Sequence, residues 1–182
     1  MSKDDYQNKR DFTATDNPGE PDEPGETKSM AEDITPGNIY VIQEHDSKKL
    51  HYDLRLQFGG VLRSWAVPKE PPTEAGVKRL AIPTEDHPLA YAGFEGEIPE
   101  GHYGAGTVKI WDKGTFEPLE VDEERGRIIF RIKGERLSGV YCLIRTRGRG
   151  GEGQWLEWDV RNGLGFFWRR YGVEQGLDEK MK

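Results

Sequence analysis

The eight residues from His51 to Phe58 constrain the fold more than any other part of the chain. Polar and apolar residues alternate there without a break, so His51, Asp53 and Arg55 fall on one face and the apolar residues between them on the other. A period of two is the signature of a β-strand. Gly59-Gly60 follows as a hairpin signal, and the run 61–67 returns as a second strand.

The rest of the pattern is also β. Further strand candidates lie at 39–45, 79–84, 107–111, 115–117, 128–132, 139–146 and 155–160. The segment 93–106 is predicted to be a loop, because it contains five Gly, one Pro and three Glu. No helical period is evident. The expected fold is therefore all-β, a single compact antiparallel β-barrel of about eight strands.

Composition divides the chain into three regions. Residues 1–38 contain four Lys/Arg and ten Asp/Glu with few apolar side chains, which predicts a largely disordered acidic arm. A short block near Arg10, where charge adjoins Phe12, is expected to be ordered. Residues 39–170 are predicted to form the barrel domain, and residues 171–182 a C-terminal tail.

Charge and apolar runs limit the classes of partner. The net charge is -7, of which -6 lies in the arm, so the remaining domain is near neutral and can carry a local basic groove for nucleic acid. No apolar run approaches the ~20 residues that cross a membrane. The chain has no leader-like start and one cysteine, Cys142, in an apolar strand. We expect a cytoplasmic protein without membrane contact, in which Cys142 is buried and inert.

One strand face carries an unusual set of ionisable groups. His51, Asp53 and Arg55 lie at i, i+2 and i+4, so all three project from the same side. A solvated strand face is the alternative. If the turn before this strand has five residues, His45 lies across from His51 and Gln43 across from Asp53. Two imidazoles and a carboxylate on one face suit Mn²⁺, Fe²⁺ or Zn²⁺.

A second segment supplies further candidates. Arg79, Glu85 and His87 share a parity and would share a face if one strand ran that far. Glu85 either orients a histidine or is a solvated acid beside a turn. A metal ion together with Arg55, Arg79 and Lys69 would neutralise a phosphoryl group, although Lys69 and Arg79 taken singly are typical surface charges.

The glycine-rich segment near His102 carries no motif. We leave His102 outside the candidate site, since its loop looks too flexible to place. Residues 104–106 lack the lysine and the helix of a phosphate-binding loop, so a tight turn is the prediction.

Four ordered motifs together resemble the 3′-phosphoesterase domain of bacterial DNA ligase D. The resemblance runs from about residue 40 to residue 146, and residues 9–12 look like the short block that opens this family. The motifs read Gln43-Glu-His45-Asp with Leu50-His51-Tyr-Asp53-Leu-Arg55, then Ser64-Trp-Ala-Val-Pro-Lys69, then Glu85-Asp-His87-Pro-Leu-Ala-Tyr91, and Phe94-Glu-Gly-Glu-Ile-Pro-Glu-Gly-His-Tyr-Gly-Ala-Gly106.

The resemblance implies a compact β-barrel with Mn²⁺-dependent activity on DNA 3′ ends. Enzymes of this family remove a terminal ribonucleoside and then the 3′-phosphate, which leaves a 3′-OH. By position, His45, His51 and Asp53 are implied as metal ligands, and Arg55 and His87 as groups that hold the phosphate. Further active-site positions are implied at Gln43, Lys69, Arg79, Glu85, Tyr91, Arg10 and Asp11.

Two departures from the family pattern stand out. Asn17 occupies a place where the family commonly has an acid, and residues 155–159 carry acids where the family usually has an apolar strand followed by basic residues. No ligase or polymerase domain accompanies the domain. We therefore expect a free-standing, monomeric version that acts on primer-template, nicked or gapped duplex ends alongside a separate ligase or polymerase.

The predicted chemistry divides the work between metal and cations. The metal would polarise a phosphate oxygen or activate water. Arg55, helped by Arg79 and Lys69, would neutralise the phosphoryl charge. His87 would be the general acid to the departing sugar oxygen, or alternatively would bind phosphate alone.

Two other classes of protein share these residues. His51, Asp53 and His87 also form a two-histidine, one-carboxylate set like that of non-haem Fe(II) oxygenases, although His45 would then have no role. A non-catalytic module that binds DNA ends or metal is the other alternative. The intact set of ligands with a proton donor argues against such a module.

Overall fold

The fold is seen in a computed structural model that describes residues 38–74, 76–148 and 151–159, with side chains as far as Arg145. The predicted block with Arg10 and Asp11, the departure at Asn17 and the predicted C-terminal tail lie outside the described residues. Among the residues described, there is no helix with the length and apolar character needed to cross a membrane.

The described part of the chain contains ten strands and one 3-10 helix, Leu89–Gly93. The strands are β1 (Asn38–Asp46), β2 (His51–Phe58), β3 (Val61–Val67), β4 (Lys78–Pro83), β5 (His87–Pro88), β6 (Gly96–Ile98), β7 (Gly106–Asp122), β8 (Arg127–Gly134), β9 (Ser138–Gly148) and β10 (Gly151–Asp159).

The strands form a nearly closed antiparallel barrel. Neighbours follow the order β1-β2-β3-β4-β10-β9-β8-β7, and β7 also pairs with β1, which joins the two ends of this row. The two short strands lie off the ring, β6 beside β7 and β5 beside β3. The predicted all-β barrel of about eight strands is thus confirmed.

Three predicted elements differ from the structure. The candidates at 107–111 and 115–117 are parts of the single strand β7. The predicted loop 93–106 contains the short strand β6. The strand that begins near Arg79 does not extend to His87, because β4 ends at Pro83, which has no N–H to donate to the sheet. His87 instead belongs to β5, which pairs with β3.

The apolar face of β2 fills the interior of the barrel. Leu54, Leu56 and Phe58 are fully buried there, each of which contributes about 1.5–3 kcal/mol by leaving water. Aromatic rings from other strands complete this core, namely Tyr40, Trp111, Phe116, Phe130 and Tyr141. Cys142 is free and fully buried, and burial raises the pKa of its thiol, as expected of an inert cysteine.

A second, smaller core lies against the outside of the barrel wall. It joins the 3-10 helix and β6 to β3 and β7 through Leu62, Tyr91, Phe94, Ile98 and Val108. This packing holds residues 84–106, which we call the covering segment, over the polar face of β2. Asp53 and Arg55 on this face are therefore buried and His51 is half-buried, so the face is not a solvated strand face.

One buried carboxylate serves the barrel itself. Asp112 accepts hydrogen bonds from the Tyr40 hydroxyl at 2.7 Å and from the backbone N–H groups of Glu135, Arg136 and Leu137 at 3.0, 2.9 and 3.0 Å. A Cβ added at Gly134 would overlap the Tyr40 hydroxyl oxygen, so only glycine fits there. We call Tyr40, Asp112 and residues 134–137 the Asp112 cluster.

Candidate metal centre

The β1–β2 hairpin brings the predicted ligands together. His45 pairs with His51 and Gln43 with Asp53, which confirms the register expected from a five-residue turn. His45 Nδ1 and His51 Nε2 each lie 3.7 Å from an oxygen of Asp53. One donor atom from each of these three side chains lies within 4.8 Å of the others. The three can thus converge on one ion.

Backbone carbonyls orient both imidazoles. His45 Nε2 lies 2.8 Å from the carbonyl oxygen of Gly104, and His51 Nδ1 lies 2.9 Å from that of Lys49. Because a carbonyl only accepts, these two nitrogens carry the ring protons. The lone pairs of His45 Nδ1 and His51 Nε2 therefore face Asp53. Metal-ligating histidines are held in the same way, so the three residues fit a divalent ion.

Asp53 is kept ionised despite its burial. Burial by itself would raise the pKa of this carboxyl group. The guanidinium of Arg55, 2.9 Å from Oδ2, is the largest opposing effect and holds the pKa of Asp53 below its ordinary value; positive charge on His45 or His51 would add to it. The third donor is therefore a carboxylate at neutral pH.

Arg55 is almost fully buried and held on several sides. Its side chain donates to Asp53 Oδ2 at 2.9 Å, to Gln43 Oε1 at 2.8 Å and to Ser64 Oγ at 2.8 Å. The guanidinium carbon also lies 4.8 Å from the centre of the Tyr91 ring. A cation fixed in this way is preorganised to receive an anionic oxygen without losing side-chain entropy.

His87, on β5, lies next to Arg55. Its Nδ1 lies 2.9 Å from Arg55 Nη1 and 2.9 Å from the backbone oxygen of Glu85. The guanidinium only donates and the carbonyl only accepts, so Nδ1 serves one of them at a time. A neutral ring that accepts from Arg55 has its proton on Nε2, and a protonated ring that donates to Glu85 has one there too. Nε2–H is a hydrogen-bond donor in both states, and only the protonated ring can transfer that proton to a substrate.

A single cleft of about 950 Å³ exposes these groups. Seven of the predicted site residues line it, namely His45, His51, Asp53, Arg55, Glu85, His87 and Tyr91. Gln43 lies behind them and donates to the backbone oxygens of Tyr91 and Phe94 at 3.2 and 2.9 Å. It thereby ties the covering segment to β1. Glu85 is buried, so it is not the solvated acid that was the alternative.

Two predicted cations lie elsewhere. Lys69 is exposed beyond the end of β3, and the guanidinium of Arg79 donates to the backbone oxygens of Glu70 and Lys78 at 2.7 and 3.2 Å. Neither belongs to the cleft wall that the described residues form. Their part in the site stays a prediction, as do those of Arg10 and Asp11, which are outside the described residues.

Sequence reasoning missed two residues of the site. Ser64 binds Arg55, and the signal for it was the Gly59-Gly60 hairpin, whose register pairs Arg55 with Ser64. His102 was left outside the site, yet it lines the cleft together with its neighbours. The predicted tight turn near residue 104 is present, since Ala105 N donates to His102 O at 3.2 Å.

The fold and the site define a class of protein: a β-barrel that carries a candidate three-donor metal site beside a buried cation. Sequence comparison makes this more specific. The profile of the DNA ligase D 3′-phosphoesterase domain matches residues 43–145, and the chain belongs to this family.

Relatives of the chain are much longer proteins. This chain is 46% identical over 161 residues to the multifunctional non-homologous end joining protein LigD of Pseudomonas aeruginosa. The aligned region covers 87% of this chain and 18% of that relative. The chain is 52% identical over 128 residues to the LigD DNA repair protein of Mycobacterium tuberculosis, and this aligned region covers 69% of the chain and 16% of the relative. The chain thus spans less than a fifth of either relative.

Proposed function

We propose that this protein is a Mn²⁺-dependent phosphoesterase that heals DNA 3′ ends. It removes a 3′-phosphate, and a 3′-terminal ribonucleoside, to leave a 3′-OH. The observation that carries the proposal is the shared carboxylate: Asp53 faces both metal-ligating imidazoles and the fixed cation Arg55 within one cleft. Family membership and the end-joining names of the relatives support it.

The metal site in this proposal consists of His45, His51 and Asp53. Two imidazole nitrogens and one carboxylate suit Mn²⁺ and other divalent transition metals. Such an ion, when bound, supplies Lewis-acid polarisation of a phosphate oxygen or an activated water. The carbonyls of Gly104 and Lys49 keep the donor nitrogens turned toward Asp53, so the protein orients the site in advance.

Arg55 binds the phosphoryl group. A guanidinium has five N–H groups, and the contacts described to Gln43, Ser64, His87 and Asp53 account for four of them. One N–H of Nη2 is then available to a phosphate oxygen. Because its partners fix the guanidinium, this hydrogen bond forms without rearrangement as negative charge develops.

His87 donates the proton from Nε2 to the departing sugar oxygen. The protonated ring donates from Nδ1 to the Glu85 carbonyl, 2.9 Å away, and keeps that hydrogen bond after Nε2 has given up its proton, which leaves a neutral ring with a lone pair on Nε2. Phosphate binding alone is the competing role for His87. In this proposal Lys69 and Arg79, which are outside the cleft, contact DNA flanking the scissile phosphate.

The partners in this proposal are DNA 3′ ends, on primer-template or on nicked and gapped duplexes. A ligase or polymerase would use the healed end, and the protein would act as a monomer. The oxygenase alternative is less well supported, because the residues that can share one ion are His45, His51 and Asp53, whereas His87 contacts Arg55.

The test uses a primer-template whose primer ends in a 3′-phosphate, and a second one that ends in a ribonucleotide. We expect Mn²⁺-dependent release of phosphate and a primer with a 3′-OH. His45→Ala should abolish release, whereas Ile82→Ala, an exposed residue outside the described cleft wall, should not. Absence of any metal-dependent release, or oxygen uptake with Fe(II) and an oxoacid, would overturn the proposal.

The role of His87 has its own test. His87→Ala should lower phosphate release by about 100- to 10,000-fold, the usual contribution of a general acid, while Mn²⁺ binding persists. Titration with Mn²⁺ monitored by electron paramagnetic resonance measures the second quantity. Substantial activity in this variant would show that the assignment of His87 is wrong.

A further inference from the structure

The loop from Pro99 to Gly106 forms one wall of the cleft, and we call it the rim loop. It consists of two successive turns, in which His102 N donates to Pro99 O at 3.3 Å and Ala105 N to His102 O at 3.2 Å. Gly101 and Gly104 occupy the third position of each turn with φ of 91° and 80°, which favours glycine. The sequence therefore encodes a shaped loop.

This loop is tied to the metal site. The carbonyl of Gly104 accepts a hydrogen bond from His45 Nε2 at 2.8 Å, and a Cβ added at Gly104 would lie 3.6 Å from the His45 ring. Tyr103 directly precedes Gly104, and consecutive Cα atoms are about 3.8 Å apart. The position of Tyr103 is thus set relative to the candidate metal ligands.

Tyr103 presents an aromatic side chain at the mouth of the cleft. Its side chain lines the cleft and is 49% exposed, which is high for a large hydrophobic residue in the described part of the chain. The other large rings near the site are buried: Tyr91 packs between His87 and Phe94. Tyr103 therefore contributes little to the core and offers apolar area to a ligand.

Charge indicates which part of a nucleotide this wall can receive. Glu97 and Glu100 line the cleft on the side of the rim loop, and two carboxylates disfavour the phosphates of a DNA backbone. Lys48 lines the cleft from the β1–β2 turn, next to Lys49, and favours them. The rim loop at Tyr103 therefore suits a neutral, planar group.

We propose that Tyr103 is a stacking platform for the base of the 3′-terminal nucleotide, an inference that rests on the function proposed above. The terminal phosphate lies at Arg55 and the metal site, the base lies on Tyr103, and the preceding backbone follows Lys48. Stacking of a base on an aromatic side chain is tolerant of sequence, because every base has a π-face. An end-healing enzyme needs that tolerance.

The experiment compares two primers that differ only at the last nucleotide. Both carry a 3′-phosphate, and in one of them the terminal nucleotide lacks its base. Phosphate release is measured with Mn²⁺ for the wild type, Tyr103→Ala, Tyr103→Phe and Leu50→Ala. Leu50 is the matched control, because it is 50% exposed and adjoins the ligand His51. Thermal melting checks that each variant is folded.

The wild type should show a KM about 10-fold lower for the primer with a terminal base, with similar kcat. Tyr103→Ala should lose this preference and leave the KM for the baseless primer unchanged, whereas Tyr103→Phe and Leu50→Ala should keep the preference. If the preference survives in Tyr103→Ala, or is absent from the wild type, Tyr103 is not a stacking platform for the terminal base. Failure of the wild type to release phosphate from either primer overturns the proposed function instead.

Discussion

Asp53 and Asp112 are both buried carboxylates, and their surroundings are opposite in kind. Asp112 faces a tyrosine hydroxyl and three backbone N–H groups, and its described hydrogen bonds involve no cation. Asp53 faces Arg55 and two imidazoles at the wall of an open cleft. Burial is the same, but one carboxylate is satisfied by fixed dipoles and the other by ionisable side chains.

The difference separates structure from chemistry. Backbone N–H donors cannot change charge, so the Asp112 cluster has one state and serves to hold β1, β7 and residues 134–137 together. The imidazole neighbours of Asp53 can take up an ion on the nitrogens that face it, beside the fixed charge of Arg55. A buried carboxylate therefore indicates a functional site when its partners are charged or metal-binding side chains that line a cleft.

The largest expected effect is on activity, from Asp53→Asn. The amide keeps the size of the side chain and can still accept from Arg55, but it removes the anionic metal donor. We expect Mn²⁺-dependent phosphate release to fall by at least about 1,000-fold. The melting temperature of the metal-free protein should change far less than in Asp112→Asn. If Asp53→Asn unfolds the protein, the contrast between the two carboxylates fails.

The next effect is on stability, from Asp112→Asn. The amide NH₂ would face backbone N–H donors, so at least one buried donor loses its partner. We expect the free energy of unfolding to fall by about 3 kcal/mol, measured by urea denaturation at neutral pH. At low temperature the folded fraction should retain wild-type kcat. A stable but inactive Asp112→Asn protein would place Asp112 in the chemistry.

The smallest effect is expected from Tyr40→Phe, about 1 kcal/mol of stability at neutral pH. Burial, followed by the hydrogen bond to Asp112, raises the pKa of Tyr40 above its ordinary value of 10.0. A raised pKa stabilises the fold fully below pH 10 and loses that effect as pH rises, because the unfolded tyrosine ionises first. Denaturation curves between pH 7 and 11 should therefore show the two proteins converging above pH 10. A constant difference would contradict this.

Much of the site could be predicted because it is local. The alternation from His51 to Phe58 and the length of the preceding turn determine which side chains face one another, and the observed pairing of His45 with His51 agrees. No further information was needed to place Arg55 and Asp53 on the same face of the strand. The barrel followed from the number of short strands and the absence of a helical period.

The parts that could not be predicted depend on pairing between distant strands. Tyr40 and Asp112 are 72 positions apart, and no local sequence pattern predicts their contact. Sequence parity placed His87 on the strand of Arg79, but Pro83 ends that strand and a separate pairing with Leu62 positions the histidine. The same holds for His102, whose place in the cleft depends on packing of the covering segment.

The ligand triad also has a consequence for how the protein folds. All three donors lie between residues 45 and 53 of a single hairpin, whereas the ring is completed only when β1 meets β7. Hairpins form in microseconds, well before distant strands meet. If the proposed ion binds this triad, it can engage the hairpin in a chain that has not yet folded and hold the register of the first two strands. Such binding to the unfolded chain would make the ion stabilise the native state by less than its affinity suggests.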